Sequence, residues 1–228
     1  MFQFTSAFYV TDVLPLFDEC LFEKHLNAMP GFRIKKVESI KVKSEKLLSL
    51  GAGVLLSIAL KDCGIDEYPE VETGQNGKPF FPAYSGFRFN LSHSGTKAVC
   101  VVSSFETGCD VELTEKANLK IANRYFTPNE NALINSQKTD YDRRSMFCRL
   151  WTLKESYMKA TGQGFGLSLS SFSIGFNNGS PFLEYPLTED GFGFYEFNLN
   201  DEYKYSCCIK NDPEKRKPNL IIINLNDY

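Results

Sequence analysis

Lys97-Ala98-Val99-Cys100-Val101-Val102-Ser103, then a turn at Glu106-Thr107-Gly108, then Cys109-Asp110-Val111-Glu112-Leu113, form the stretch from which the rest of the chain is read. The first run is β-branched and apolar, so the segment from Cys109 to Leu113 is expected to be the next strand. Residues two apart on a strand face the same way. Asp110 and Glu112 then point to one side while Val111 enters a core, and two adjacent carboxylates repel each other unless a cation sits between them. Further on, Trp151-Thr152-Leu153-Lys154-Glu155-Ser156-Tyr157-Met158-Lys159 places Trp151, Glu155 and Lys159 at i, i+4 and i+8, on one helical face. A third carboxylate and an ammonium are thereby able to meet the strand pair across a cleft. Three hard oxygen ligands with open positions suit Mg²⁺, which keeps waters and takes its remaining ligands from substrate phosphates. Taken singly, each stretch also reads as a solvated face: Asp-x-Glu on an edge strand, and an i, i+4 ion pair from Glu155 to Lys159.

Outward from these stretches, the sequence predicts an N-terminal strand from Gln3 to Val10 and a helix from Leu16 to Met29. A largely buried helix is expected from Ser44 to Cys63, with Gly64 just past its end. Phe87 to Leu91 and Lys97 to Ser103 read as strands flanking a turn that carries Ser92, His93 and Ser94. Helices follow at Leu119–Tyr125, Pro128–Ser136 and Arg143–Thr161, with Gly162 as C-cap. Strands are expected at Ser171–Gly175, Tyr195–Leu199 and Tyr203–Lys210, and another from Leu220 to Leu225. Helix first and strands after, in two comparable halves, indicates an α+β class.

Composition sets wider bounds. The 228 residues are 43% hydrophobic, ample for a packed core. The N-terminus lacks a basic stretch followed by an apolar one, and no long apolar run occurs, so secretion and membrane insertion are not expected and a cytoplasmic location is. Seven cysteines with no C-x-x-C spacing fit a reduced interior rather than a zinc knuckle or disulfide framework. A net charge of −3 argues against a general binder of nucleic acid or anionic membrane. A phosphate ligand would need a local basic patch, and Arg33-Ile34-Lys35-Lys36 with Lys41, Lys43 and Lys46 is the candidate, beside the plainer reading of a solvated face.

At the two acidic stretches the chain resembles the surfactin-type (Sfp-type) 4′-phosphopantetheinyl transferases, which carry a G-x-D-x-E block followed by W-[ST]-x-K-E-[SA]-x-x-K. Gly77-Lys78-Pro79 and Phe89-Asn90-Leu91-Ser92-His93-Ser94-Gly95 resemble that family's G-K-P and F-N-[LI]-S-H-S blocks. Ala122-Asn123-Arg124-Tyr125-Phe126-Thr127-Pro128-Asn129-Glu130 resembles its A-x-R-[FY]-F segment, and Gly162-Gln163-Gly164-Phe165-Gly166-Leu167 its glycine-rich turn. The resemblance implies two pseudo-symmetric α/β subdomains with the active site at their interface, here residues 1–105 and 106–228. It implies transfer of the 4′-phosphopantetheine arm of coenzyme A to a serine of an acyl- or peptidyl-carrier protein, releasing 3′,5′-ADP, by a monomeric pseudo-dimer. Asp110, Glu112 and Glu155 would hold Mg²⁺, with Glu155 and Lys159 catalytic. By the same resemblance Arg33, Lys35, Lys78 and His93 would grip the 3′-phosphate of coenzyme A, and Ser92 and Lys46 would also contact coenzyme A, Lys46 standing where many relatives place an Arg or Thr.

Two other functions remain open at this point: a non-enzymatic coenzyme A or nucleotide-binding relative, and a Mg²⁺-dependent phosphohydrolase. Three other signals carry little. Gly162-x-Gly164-x-Gly166 follows a helix and precedes a strand, the reverse of a dinucleotide fingerprint. Ser92 and Ser94 lack the nucleophile elbow of a hydrolase. Cys207-Cys208 reads as half-buried packing. Lys154 lies off the Trp151 face and is a second-tier candidate. Tyr125-Phe126 is expected either to form an apolar docking surface for the carrier or to pack the core.

Overall fold

The computed structural model describes residues 4–74, 76–186 and 191–228. In chain order the elements are β1 (Ala7–Asp12), α1 (Glu19–Asn27), α2 (Gly31–Ser39), α3 (Lys43–Asp62), β2 (Glu72–Thr73), β3 (Pro79–Phe80), β4 (Arg88–Ser94), β5 (Lys97–Ser103) and β6 (Thr107–Leu113). There follow α4 (Ala122–Tyr125), α5 (Pro128–Asn135), α6 (Asp140–Thr161), β7 (Ser173–Asn177), β8 (Ser180–Tyr185), β9 (Phe192–Phe197), β10 (Tyr203–Lys210) and β11 (Asn219–Ile223). The class is α+β, as expected. The two halves repeat one plan: β1, α3, β4 and β5 give strand order β1-β5-β4, and β6, α6, β9 and β10 give β6-β10-β9. All these pairings are antiparallel. The C-terminal tail leaves the second half, and β11 pairs in parallel with β1.

The period-2 alternation of the strands explains the stacking. Tyr9, Ala98, Cys100 and Val102 face α3, whose Leu47, Leu50 and Leu55 fill the first core. Phe8, Val10, Val99 and Val101 face the other way, onto Cys109, Val111, Phe197, Tyr205 and Cys207 of the second sheet. Phe8 stacks on Phe197 at 4.2 Å between centroids. α6 covers the outer face of the second sheet with Leu150, Leu153 and Tyr157. Gly108 permits the close approach: a Cβ there would meet Ala160 N at 2.5 Å and Lys159 Cβ at 2.6 Å.

Several expectations are corrected. Gln3 lies outside the described residues, and the first strand extends to Asp12 rather than ending at Val10. The expected helix from Leu16 is split, because Pro15 opens a 3-10 turn (Leu14–Phe17) and Asp18 then caps α1 by accepting the Leu21 N–H. Arg33 to Lys36 lie within a separate helix, α2. Ser92, His93 and Ser94 belong to β4, and the tight turn is Gly95-Thr96, where Gly95 has φ +61. Periodicity overlooked β8 as well as the two-residue strands β2 and β3. Gly162, at φ +67, does end α6 as expected. Cys207 and Cys208 are fully rather than half buried.

Candidate active site

β6 is an edge of its sheet, and its free backbone groups are met by side chains instead of a neighbouring strand. Cys109 N–H donates to Asn90 Oδ1 at 2.9 Å and Leu113 N–H to Ser94 Oγ at 3.4 Å. Lys78 Nζ donates to Thr107 O at 2.9 Å, and Lys159 Nζ to Cys109 O at 3.0 Å. β4 thus lies along β6 without a backbone ladder, and polar side chains gather in the seam. An unpaired edge strand must be covered in some such way.

In that seam Ser92 Oγ donates to Asp110 Oδ1 at 2.7 Å and Ser94 Oγ to Glu112 Oε2 at 2.9 Å. Lys159 Nζ reaches across from α6 to Asp110 Oδ1 at 2.7 Å and Ser92 Oγ at 3.1 Å. The predicted facing is therefore observed: Asp110 and Glu112 share the side toward α6, and Val111 is fully buried on the other. Asp110 is 4% exposed, and its Oδ2 has no hydrogen-bond partner among the described residues. A buried carboxylate oxygen left bare is costly. Glu155 and Lys159 line a cleft of about 250 Å³ with Met158, Asn90, the Asn76-to-Pro79 loop and Gly162.

The carboxylates feel each other. Burial, and next the charge of Asp110, push the Glu112 carboxyl up to about 7, against the opposing hydrogen bond from Ser94 and the charge of Lys159. Burial also raises Glu155; Lys159 opposes this and Asp110 adds to it. Burial alone would lower the Lys159 ammonium, but the Asp110 carboxylate holds it above the usual lysine value. Asp110 Oδ2, Glu112 and Glu155 are the oxygens able to meet a hard cation. Among the described residues no three His, Cys, Asp or Glu side chains are gathered closely enough to hold a metal ion by themselves.

The other anticipated residues are spread more widely. Ser92 is in the seam and His93 is on the exposed side of β4. Burial leads in lowering the His93 imidazole, and Lys159 and Lys36 contribute against the opposing charge of Glu45. Lys78 is tied to Glu106 Oε2 at 2.8 Å. Arg33 is buried, its Nη2 donating to Ser49 O at 2.6 Å, while Lys35 is exposed on α2. Lys46 lines a different cleft with Lys41, Lys43 and Phe17. Lys36, a member of the candidate basic patch, is the α2 lysine whose charge His93 feels.

Two ionic contacts, those of Lys154 and Glu106, escaped the sequence reading, and the choice between the two roles open to Phe126 falls to its packing. Lys154, a second-tier candidate there, is fully buried and donates to Glu130 Oε1, Glu130 Oε2 and Phe172 O at 2.6, 2.7 and 2.6 Å. It braces α6 against α5 and β7 and does not enter the cleft. Phe126 is 3% exposed and packs edge-on against Phe147 and Trp151, so the docking role expected for it is withdrawn in favour of core packing. Glu106 joins Lys78 and Arg88, the latter at 2.6 Å. No spacing rule links residues so far apart in the chain.

Residues 106–209, which span β6 to β10, match the 4′-phosphopantetheinyl transferase superfamily. A 4′-phosphopantetheinyl transferase of Bacillus subtilis is 35% identical over 150 residues, 64% of this chain and 61% of its own length. The transferase gsp of Aneurinibacillus migulanus is 36% identical over 132 residues, covering 58% and 54%. Sfp of Bacillus subtilis (strain 168) is 32% identical over 137 residues, covering 60% and 61%. The matches span about three-fifths of the relatives' length. They bear out the resemblance read from the motifs: the chain is similar to the surfactin-type 4′-phosphopantetheinyl transferases.

Proposed function

We propose that this protein transfers the 4′-phosphopantetheine arm of coenzyme A to a serine of an apo acyl- or peptidyl-carrier protein, giving the holo-carrier and 3′,5′-ADP. One observation carries the reading: a buried carboxylate oxygen of Asp110 without a partner, beside Glu112, opposite Glu155 and next to the Lys159 ammonium. Such a donor set fits Mg²⁺, with Asp110, Glu112 and Glu155 as its holders. When bound, the ion would supply positive charge against the pyrophosphate oxygens.

Lys159 is the catalytic cation, placed to offset charge on the phosphate oxygens as the carrier serine oxygen bonds to the β-phosphorus and the bond to 3′,5′-ADP breaks. Glu155 accepts the serine proton. Ser92, His93 and Lys78 contact coenzyme A, and Arg33, Lys35 and Lys46 are proposed to supply positive charge on the first half. Residues 1–105 and 106–228 act as the two subdomains of a monomer, with β11 returning to the first. A cytoplasmic location completes the proposal; among the described residues no helix is long and apolar enough to cross a membrane.

Incubating the protein with coenzyme A, Mg²⁺ and a panel of apo-carriers, followed by mass spectrometry, tests it. A phosphopantetheine mass on a carrier serine is expected. Binding of coenzyme A without that mass would leave the non-enzymatic relative, and cleavage of coenzyme A without it the phosphohydrolase.

A further inference from the structure

Ser94, which belongs neither to the coenzyme A contacts nor to the acidic set, ends β4 directly against Glu112. Its buried hydroxyl donates to Glu112 Oε2 at 2.9 Å and accepts the Leu113 N–H at 3.4 Å. Two residues earlier on the same strand, Ser92 treats the earlier carboxylate of β6 in the same way, donating to Asp110 Oδ1 at 2.7 Å. Both strands have a period of two, so one serine faces one carboxylate along the seam. Each hydroxyl takes up a single oxygen. Asp110 Oδ1 also receives Lys159 Nζ at 2.7 Å, while Oδ2 stays bare among the described residues. On Glu112 the bond to Oε2 leaves Oε1 as the oxygen open to a ligand.

Ser94 is itself held from the second half. Gly95 and Thr96 form the tight turn after it, with Gly95 at φ +61. Tyr203 OH accepts the Thr96 N–H at 3.0 Å, and the hydroxyl lies so close to the turn that a Cβ at Gly95 would collide with it. Tyr203 pairs on β10 with Leu113 of β6, the residue after Glu112. The circuit of Glu112, Ser94, the turn, Tyr203 and Leu113 therefore closes on itself. Ser94 cannot drift from Glu112, and its hydroxyl keeps Oε2 occupied.

Such a clamp decides how a carboxylate meets a cation. Ca²⁺ accepts carboxylates through one or both oxygens at about 2.3–2.6 Å, whereas Mg²⁺ demands a near-ideal octahedron at about 2.0–2.1 Å. Neighbouring corners of that octahedron are about 2.9 Å apart, wider than two oxygens on one carboxyl carbon, so Mg²⁺ takes one oxygen from each carboxylate. Resting on the Mg²⁺ reading above, we propose that Ser94 is a specificity-determining positioning residue: by occupying Glu112 Oε2 it restricts Glu112 to one-oxygen ligation and favours Mg²⁺ over Ca²⁺. Tyr203 supports it by fixing the turn.

Mn²⁺ binding to the coenzyme A complex, followed by electron paramagnetic resonance with coenzyme A alone as the blank and competed by Mg²⁺ or by Ca²⁺, gives the affinity for each ion without turnover. Ser94→Ala is expected to weaken Mg²⁺ about tenfold, the lower end of what losing a partner behind a metal ligand costs. Ca²⁺ should stay within about twofold, because the freed Oε2 can join it. Ser94→Thr, which keeps a hydroxyl, should restore the wild-type preference. Tyr203→Phe, which keeps the ring and removes only the acceptor of the Thr96 N–H, should shift the preference the same way by a smaller factor, and it decides the matter if Ser94→Ala does not fold. Equal losses for both ions, or an unchanged ratio, would overturn the proposal and leave Ser94 a plain strut between β4 and β6. A wild-type complex that binds none of the three ions would overturn the Mg²⁺ reading itself, and this inference with it.

Discussion

Replacing Lys154 by methionine keeps most of the side-chain volume and deletes one charge from a site that water does not reach. Lys154 and Glu130 are both 0% exposed, and the three protons of Lys154 are all used. In the variant, Glu130 keeps only the backbone N–H groups of Thr127 at 2.8 Å and Ile174 at 2.9 Å, and its negative charge is left unpaired. Breaking a buried pair from one side costs about 3–5 kcal/mol. At about 2–4 °C per kcal/mol for a chain of this size, the melting temperature should fall by about 6–20 °C. The loss should be larger at pH 8 than at pH 5. An isolated buried carboxyl is raised in the folded state, so the fold gains by keeping its proton and loses that gain as pH rises through the raised value. Glu130→Gln/Lys154→Met, which removes both charges, should recover part of the fall. A decrease below about 2 °C at both pH values, which at this scale is about 1 kcal/mol or less, would refute the account of a dry, obligatory pair.

Gly108→Ala should displace α6, since its Cβ would meet backbone atoms of Ser156 and Ala160; transfer activity should fall further than fold content, measured by circular dichroism beside the carrier assay. Phe126→Ala should cost about 3–5 kcal/mol of stability in denaturant titrations, without a specific rise in the carrier KM. In chelator, Glu112, raised to about 7 in the fold, favours the folded state below its ordinary value near 4.5. Wild-type stability should therefore decline between about pH 5 and 8, by about 2 kcal/mol once discounted for water at the cleft, and Glu112→Gln should flatten that slope in urea titrations. Asp110→Ala and Glu155→Gln should each lower kcat/KM by at least about a hundredfold with the fold intact, and full activity in excess chelator would refute the metal assignment.

Much of the fold was legible because its signals are local. β-branched and apolar composition placed β5 and the strand after it, β6, the glycine at 162 closed α6, and the i+2 rule put Asp110 and Glu112 on one side with Val111 behind them. The i+4 spacing of Glu155 and Lys159 likewise sets a shared helical face through local geometry alone. The segment from Phe87 to Ser94 was harder, since Ser-His-Ser has turn-like composition. It extends as a strand only because β5 pairs with it and because β6 takes Asn90, Ser92 and Ser94 as partners.

The sequence by itself determined the order of the chemical groups, the faces they occupy on their own elements and the family resemblance, since these follow from backbone periodicity and residue type. Tertiary structure alone decided which charges meet. Lys154 and Lys159 are both lysines on α6, five positions apart, yet one is walled in by Glu130 and Phe172 while the other reaches Asp110 across the seam. Arg33 turns inward to Ser49, and Glu106 gathers Lys78 and Arg88. The physical reason is range: periodicity acts over a turn or a pleat, whereas the field and desolvation at an ionic group depend on whatever packing brings within a few ångströms of it.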